Sequence, residues 1–328
     1  MLDAEPSVAP SSTGRRPVIE VRDLVKRYKK SETNAVDGVS FDVAEGEFFA
    51  LLGPNGAGKT TTISILTTTL IPTSGSVRIG GFDVKLQANR VRRQVGIVFQ
   101  QPSLDLGLTA EENVRFHAIL YGLYPWRPTY RTMPAAYRAR FKELSEILEL
   151  KAEMFKPVKR FSGGMKRKLE IVRSLMHEPK VLFLDEPTAG LDADSRRNLW
   201  NYLRDIRERT GATVFLTTHY LEEAEEADTI CIIDNGKVIS FGSPAHIKKD
   251  LVEEYLLVVP SDPVALSHEL DTLGVGYVPG SEFKIHLNGG RVHSVLKSID
   301  TPLVKVRTHL PTLEDAYIAL LRKTDAPD

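Results

Sequence analysis

Apolar and polar positions alternate through residues 18–43, first in Val18-Ile19-Glu20-Val21-Arg22 and again from Ala35 to Phe41, which predicts a β-hairpin. The next run, Glu47-Phe48-Phe49-Ala50-Leu51-Leu52, is almost continuously apolar and stops at a glycine, as a strand buried on both faces does. Through residues 109–176 the period becomes helical, with Leu144, Ile147, Leu148 and Leu150 spaced for one helix face. Apolar runs at 180–184 and 212–217 predict two more buried strands, and Leu199, Leu203 and Ile206 mark the stripe of an amphipathic helix between them. Strands alternating with helices predict a mostly parallel α/β sheet that carries a helical subdomain.

After residue 249 the pattern restarts in a smaller unit. It predicts a strand at 255–259, a helix at 263–273, strands near Gly276 and Phe283, a helix at 291–298, a strand at 303–307 and a last helix from Thr312. That order predicts a compact α+β domain of split βαβ type. The expected organisation is therefore a disordered tail at 1–17, a main domain at 18–249 and a small α+β C-terminal domain at 250–328. Residues 121–130, rich in aromatics and proline, read as a loop insertion in the helical part.

Composition narrows the function classes. Of 328 residues, 42% are hydrophobic and 26% charged, as in ordinary globular chains, and Lys+Arg and Asp+Glu both count 43. A balanced charge argues against a chain built to coat nucleic acid. No apolar run approaches the roughly 18–20 residues that span a bilayer, and the opening residues lack the apolar core of a secretory signal. The one cysteine, Cys231, sits in the apolar run at 229–234 and reads as a buried strand residue, so an intrachain disulfide is ruled out.

Chemistry concentrates in a few motifs. Gly53-Pro54-Asn55-Gly56-Ala57-Gly58-Lys59-Thr60 matches G-x-x-x-x-G-K-[ST], directly after a predicted strand and before a predicted helix. Glycines let backbone N–H groups crowd around phosphate oxygens, and the helix N-terminus adds positive potential. Lys59 is expected to reach the outer phosphates of a nucleotide, Thr60 to place its hydroxyl on Mg2+, and Thr61 to bind the nucleotide with the rest of the loop. Chance would produce this match in roughly one chain in a hundred of this length. Asp185 and Glu186 follow an apolar strand, where open α/β sheets place their ligands. Asp185 suits a Mg2+ site and Glu186 can act as general base on a water. His219 follows the next strand and could reach the same edge. In Phe161-Ser162-Gly163-Gly164-Met165-Lys166-Arg167-Lys168, Ser162 can cap a helix whose first turn is basic, which predicts an anion docking there.

Together these residues resemble the ABC transporter ATPases, with motifs in that family's order across residues 18–246. The resemblance implies a P-loop NTPase fold: a mostly parallel sheet core, an antiparallel β subdomain and a helical signature subdomain. It makes 53–60 the Walker A loop, Asp185 and Glu186 the Walker B pair with its catalytic glutamate, and 162–165 the signature. It likewise makes Asp192 a D-loop residue, His219 the switch histidine, Gln100 the Q-loop residue that senses Mg2+ and the membrane partner, and Tyr28 the ring stacked on adenine. The signature's fifth position, usually glutamine, is Met165 here. Met165 followed by Lys-Arg-Lys is similar to the drug- and lipid-exporter branch that includes daunorubicin-resistance ATPases, as is the ending at 311–317.

What the resemblance implies is an ATPase at the cytoplasmic face of the membrane. It would work with a separate permease and with a second copy of itself or a homologous ATPase, the two sandwiching ATP. Export is the expected direction, with no nucleic-acid partner and with the basic stretch at 127–168 as a solvated face. Two rivals remain at this point: an importer ATPase with a regulatory tail, and a soluble ABC ATPase acting on nucleic acid or ribosomes. The second needs coiled-coil arms or paired ATP domains that the sequence lacks.

Overall fold

The computed structural model describes residues 16–101, 103–251, 255–287, 292–309 and 312–324. Most of the expected tail lies outside them, and Pro17 already opens the first strand. The chain divides into two compact units, with the boundary between Phe241 and Gly242.

The first unit begins with β1 (Pro17–Lys26) and β2 (Val36–Ala44), the expected hairpin. Next come β3 (Phe48–Leu52), α1 (Lys59–Leu66), β4 (Ser74–Ile79), β5 (Phe82–Asp83), α2 (Ala88–Arg92) and β6 (Val95–Val98). The helical part holds α3 (Ala110–Leu120), α4 (Ala135–Ile147) and α5 (Gly163–Leu175). After it follow β7 (Val181–Asp185), α6 (Ala193–Thr210), β8 (Thr213–Thr218), α7 (Leu221–Ala224), β9 (Thr229–Asp234) and β10 (Lys237–Gly242).

Two sheets result. One is antiparallel, in the order β2-β1-β4-β5. The other runs β10-β9-β3-β8-β7-β6, with β9, β3, β8, β7 and β6 mutually parallel. Every residue of β3, β7 and β8 is buried, in keeping with their apolar stretches at 48–52, 181–184 and 214–216. A row of rings joins the sheets: Phe41 to Phe49 at 5.2 Å, Phe49 to Phe215 at 5.0 Å and Phe215 to Phe183 at 5.2 Å between centroids. Truncating one such ring to alanine ordinarily costs about 3–5 kcal/mol.

The helix ends carry the expected chemistry. Thr109 and Glu112 form a reciprocal capping box on α3, Asp192 caps α6, and Gly211 closes α6 in the left-handed region. α4 stops at Ile147, and Glu149 has a φ of 55°, so Leu150 belongs to the following turn rather than to the helix face expected for it. The insertion at 121–130 is tied down by Arg115 of α3, which donates to the carbonyls of Arg127 and Pro128 and pairs with Glu111.

The second unit contains α8 (Pro244–Leu251), β11 (Tyr255–Pro260), α9 (Pro263–Leu273), β12 (Tyr277–Val278), β13 (Phe283–His286), α10 (Val292–Ser298), β14 (Leu303–His309) and α11 (Leu313–Thr324). Its sheet order is β12-β13-β11-β14, and each pair of neighbours is antiparallel. The strands β11 and β12, joined through α9, are thus separated by β13, which is the split βαβ arrangement. Leu256, Val258, Phe283 and Ile285 from the sheet pack on Leu266 and Leu270 of α9.

Candidate functional site

The loop between β3 and α1 is built around two glycines that no other residue could replace without a shift. A Cβ at Gly53 would lie 2.2 Å from the Ile233 carbonyl oxygen, and one at Gly58 would lie 2.4 Å from that of Ala35. Gly58 also has a φ of 105°, a conformation that side chains disfavour. As N-cap of α1 it offers no side chain to the first N–H groups, and the first turn holds no acid. The helix therefore presents uncapped donors and positive potential to a cavity of about 380 Å³. Asn55, Gly56, Gly58, Lys59, Thr60 and Thr61 line it together with Gln100, Glu186 and His219.

Lys59 is 4% exposed, and its Nζ donates to the carbonyls of Gly53 (2.8 Å) and Pro54 (3.0 Å). Burial pulls its pKa down, while the Glu186 carboxylate, 3.7 Å away, opposes that shift. Ala57 is buried, and its N–H returns to the Pro54 carbonyl. Tyr28 lies just beyond the end of β1 rather than within a strand; it is 45% exposed, and its hydroxyl is 3.2 Å from the Thr61 hydroxyl.

Asp185 ends β7 nearly buried, and Thr217 Oγ1 donates to its Oδ1 at 2.5 Å. Burial pushes the Asp185 pKa up, against the opposing Thr217 hydrogen bond. Glu186 follows with a φ of 43°, rare for a residue with a side chain and costing about 1–3 kcal/mol. Its N–H is held by Thr217 Oγ1 at 3.0 Å. Its carboxylate accepts from Gln100 Nε2 at 2.9 Å and stands 3.3 Å from His219 Nδ1. Residues from three other stretches of sequence, at Lys59, Gln100 and His219, thus converge on the Glu186 carboxylate beside the cavity.

Ser162, Gly163, Gly164, Met165 and Asp192 are not brought there. Ser162, Gly164 and Met165 line a different cavity, of about 100 Å³, together with Leu191 and Ser195. Ser162 Oγ accepts from the Met165 N–H at 3.2 Å, capping α5, and Gly163 opens that helix. Asp192 accepts from Ser195 N at 2.8 Å, and the Ser195 hydrogen bonds hold its carboxyl below the usual range.

Two of the three cations that follow Met165 are not available to solvent in the way the sequence suggests. Arg167 is buried and satisfied by carbonyls within the chain, and Lys168 Nζ donates to the Tyr202 hydroxyl at 2.9 Å. Those two cations, one turn further along α5, are engaged internally, so an anion at this end would meet the helix N-terminus rather than Arg167 or Lys168, and the stretch at 127–168 is not a uniformly solvated face. Thr217, which holds both Asp185 and Glu186, gave no signal beyond its place one residue before Thr218-His219. Glu223 gave none either. It is buried, accepts from the hydroxyls of Thr188 and Thr218 (2.7 Å for the latter), and so ties the turn after β7 to the end of β8.

Uncapped helix donors, a buried lysine and a strand-end carboxylate pair suit a nucleotide polyphosphate. The ABC transporter family description matches residues 36–189. Over 249 residues the chain is 41% identical to the Nod factor export ATP-binding protein I of Ralstonia nicotianae, covering 74% of both chains. The chain belongs to the ABC transporter family. This ABC protein is also 42% identical over 234 residues to the daunorubicin/doxorubicin resistance ATP-binding protein of Streptomyces peucetius, covering 71% of its own length and 67% of that relative's. Among solved structures it resembles a dimeric ATP-binding cassette in a post-hydrolysis state bound to ADP and Pi, with a TM-score of 0.60 and 29% identity over 69% of this chain and 98% of that one. It likewise resembles cbiO1 of Clostridium perfringens, part of the ABC transporter complex cbiONQ, with a TM-score of 0.63 and 28% identity over 70% of this chain and 90% of that one. The chain is thus an ABC transporter ATP-binding subunit with the α/β ATPase fold of that family, and its relatives include exporters.

Proposed function

We propose that this ABC ATPase drives export through a separate permease, with the site around Lys59 and Glu186 hydrolysing ATP and the Ser162 end of α5 completing the site of a second copy. The observation that carries the reading is the separation of the two motifs. Lys59, Gln100, Glu186 and His219 surround one cavity, while Ser162, Gly164 and Met165 line another on the same chain. A helix N-terminus whose first residues are glycines, and which lies apart from the Lys59 cavity of its own chain, suits the phosphates held by a partner.

In this reading the α1 N-terminus and Lys59 hold the β- and γ-phosphates, and Tyr28 lies against adenine. Thr60, Gln100 and Asp185 would supply oxygen donors for Mg2+, and the ion would offset negative charge on the phosphates. Glu186 takes the proton of a water as its oxygen bonds to the γ-phosphorus. The bond from that phosphorus to the β–γ bridging oxygen breaks, releasing ADP and phosphate. His219, beside Glu186, holds the transferred group in place, and Asp192 lines the edge shared with the partner.

No described helix is long and apolar enough to cross a membrane. In this reading a separate permease carries the substrate. The subunit sits on the cytoplasmic face of that permease. The first unit is read as the ATPase domain and the second, which begins at Gly242 rather than at the expected residue 250, as an appended α+β domain. Identity to a Nod factor exporter and to a daunorubicin/doxorubicin resistance protein supports export of an amphipathic or apolar compound.

The shared site is tested by mixing two inactive variants. Ser162→Arg spoils the helix N-terminus and Lys59→Ala spoils the P-loop. A mixed dimer keeps one site with both parts intact, so the mixture should regain ATPase activity that neither variant has alone. Hydrolysis by the unmodified chain should also rise more than linearly with protein concentration. A mixture as inactive as its components, together with strictly linear dependence, refutes the shared site.

A further inference from the structure

The helix that begins at Ser162 carries Arg167, Glu170 and Arg173 at intervals of three, which places them along one face. Glu170 is fully buried, 3.2 Å from Arg167 Nη1 and 3.7 Å from Arg173 Nη2. Both ends of the loop after β6 are fastened to this row. At the near end Arg167 Nη1 donates to the Phe99 carbonyl. At the far end the Ser103 N–H donates to Glu170 Oε1 at 2.9 Å, and Arg173 donates to the Ser103 carbonyl and hydroxyl, each at 2.7 Å. Gln100 stands between these anchors.

The same Arg167 guanidinium also reaches the strand end that carries the carboxylates. Its Nε donates to the Pro187 carbonyl at 2.8 Å, and its Nη2 to those of Glu186 at 3.1 Å and Asp185 at 3.3 Å. One side chain therefore binds the peptide group before Gln100 and the carbonyl of Glu186, the two residues joined by the 2.9 Å hydrogen bond at the cavity mouth. Apolar residues of similar volume fill a core at least as well as a buried ion row. Packing alone does not call for a planar fork with donors aimed in two directions.

We propose that Arg167 is a positioning residue for the Gln100–Glu186 contact, and that Arg167, Glu170 and Arg173 fix the Gln100 loop to α5 so that motion at the Ser162 end of the helix reaches Glu186. The proposal rests on Glu186 acting as the base. It assigns to α5 a role within its own chain in addition to the one toward a partner. Movement of α5 against β7 would change the distance between Gln100 and Glu186 directly, without passing through the P-loop.

The test uses the full chain and measures kcat, KM for ATP, ADP affinity and melting temperature. Arg167→Lys keeps a cation beside Glu170 but cannot span both sets of carbonyls. It should lower kcat by about tenfold or more, with KM and ADP affinity changed by less than about twofold, because α1 and its loop do not touch it. Gln100→Ala should also lower kcat. Adding Arg167→Lys to Gln100→Ala should lower kcat by less than about a further twofold, since both act on one contact. Fully multiplicative losses, or wild-type kcat in Arg167→Lys, overturn the proposal. Should Arg167→Lys melt far below the wild type, Ser103→Ala replaces it. That exposed change removes one of the three hydrogen bonds at the far anchor and should lower kcat by about two- to fivefold at unchanged melting temperature, and wild-type kcat there overturns the proposal. Glu186→Gln, run alongside, separates the readings. A slow Glu186→Gln beside a normal Arg167→Lys overturns the positioning role alone, and a normal Glu186→Gln overturns the site reading and this proposal with it.

Discussion

Gln100 Nε2 lies 2.9 Å from Glu186 Oε2 although 86 positions separate the two residues in sequence. The neighbouring oxygen of that carboxylate faces His219 Nδ1 at 3.3 Å and Lys59 Nζ at 3.7 Å. Glu186 is thus met by an amide, an imidazole and an ammonium from three other segments.

Glu186→Gln keeps the shape of that arrangement and removes the base. Turnover should fall by about 10²–10⁴-fold while ATP still binds. Size exclusion with ATP should then show a dimer that persists, because closure no longer ends in cleavage. Near-normal turnover would move the base to another residue.

Lys59→Ala should weaken ATP binding by about 1.5–3 kcal/mol, the contribution of a charged hydrogen bond, or roughly 10–100-fold. A fluorescent-nucleotide titration measures it. Unchanged affinity would mean that Lys59 serves only to brace the Gly53 and Pro54 carbonyls it touches now.

Gly58→Ala meets both a positive φ and a carbonyl oxygen 2.4 Å from the new Cβ. A strain of about 1–3 kcal/mol is expected, lowering the melting temperature by about 2–10 °C. Nucleotide affinity should fall as well, since relief of the clash moves the donors of the α1 N-terminus. A variant that melts and binds like the wild type would show the loop to be more compliant than its geometry implies.

Asp185→Asn should stabilise the fold near pH 7. Burial raises the Asp185 pKa, so between the unfolded and folded values the folded chain keeps a proton that the unfolded chain releases. Stability therefore declines as pH rises through that window. Asparagine never ionises, and its side-chain oxygen still accepts from Thr217, so the variant should melt higher at neutral pH. Its advantage should shrink as the solution is acidified and Asp185 becomes neutral too. Thermal melts across the acid range check this, and an advantage that grows toward low pH contradicts it.

The P-loop was legible because its chemistry is backbone chemistry: glycines at fixed spacing after Leu52 demand one conformation whatever surrounds them. The elements of the second unit were legible for a similar reason, since Asp262-Pro263 and Gly274 cap α9 by local rules. Arg167 was not. On the sequence it is one of three consecutive cations on a helix, and nothing local shows that carbonyls from 99 and from 185–187 will enclose it. Leu150 misleads in the opposite way. It continues the helical spacing of α4 past a backbone turn at Glu149 that apolar periodicity does not register. Glu223 reads as an ordinary acid in an acidic stretch, and only folding brings Thr188 to it.

The ring row Phe41–Phe49–Phe215–Phe183 lies beneath the ends of the strands that carry the site. Phe49 belongs to the strand that leads into the P-loop, Phe183 to the one ending at Asp185, and Phe215 to the one before His219. Close-packed rings do not slide past one another in small steps. The floor of the site is accordingly a fixed chassis, and a working cycle has to be accommodated at its open rim, by the loop bearing Gln100 and by whatever helix arrives from outside.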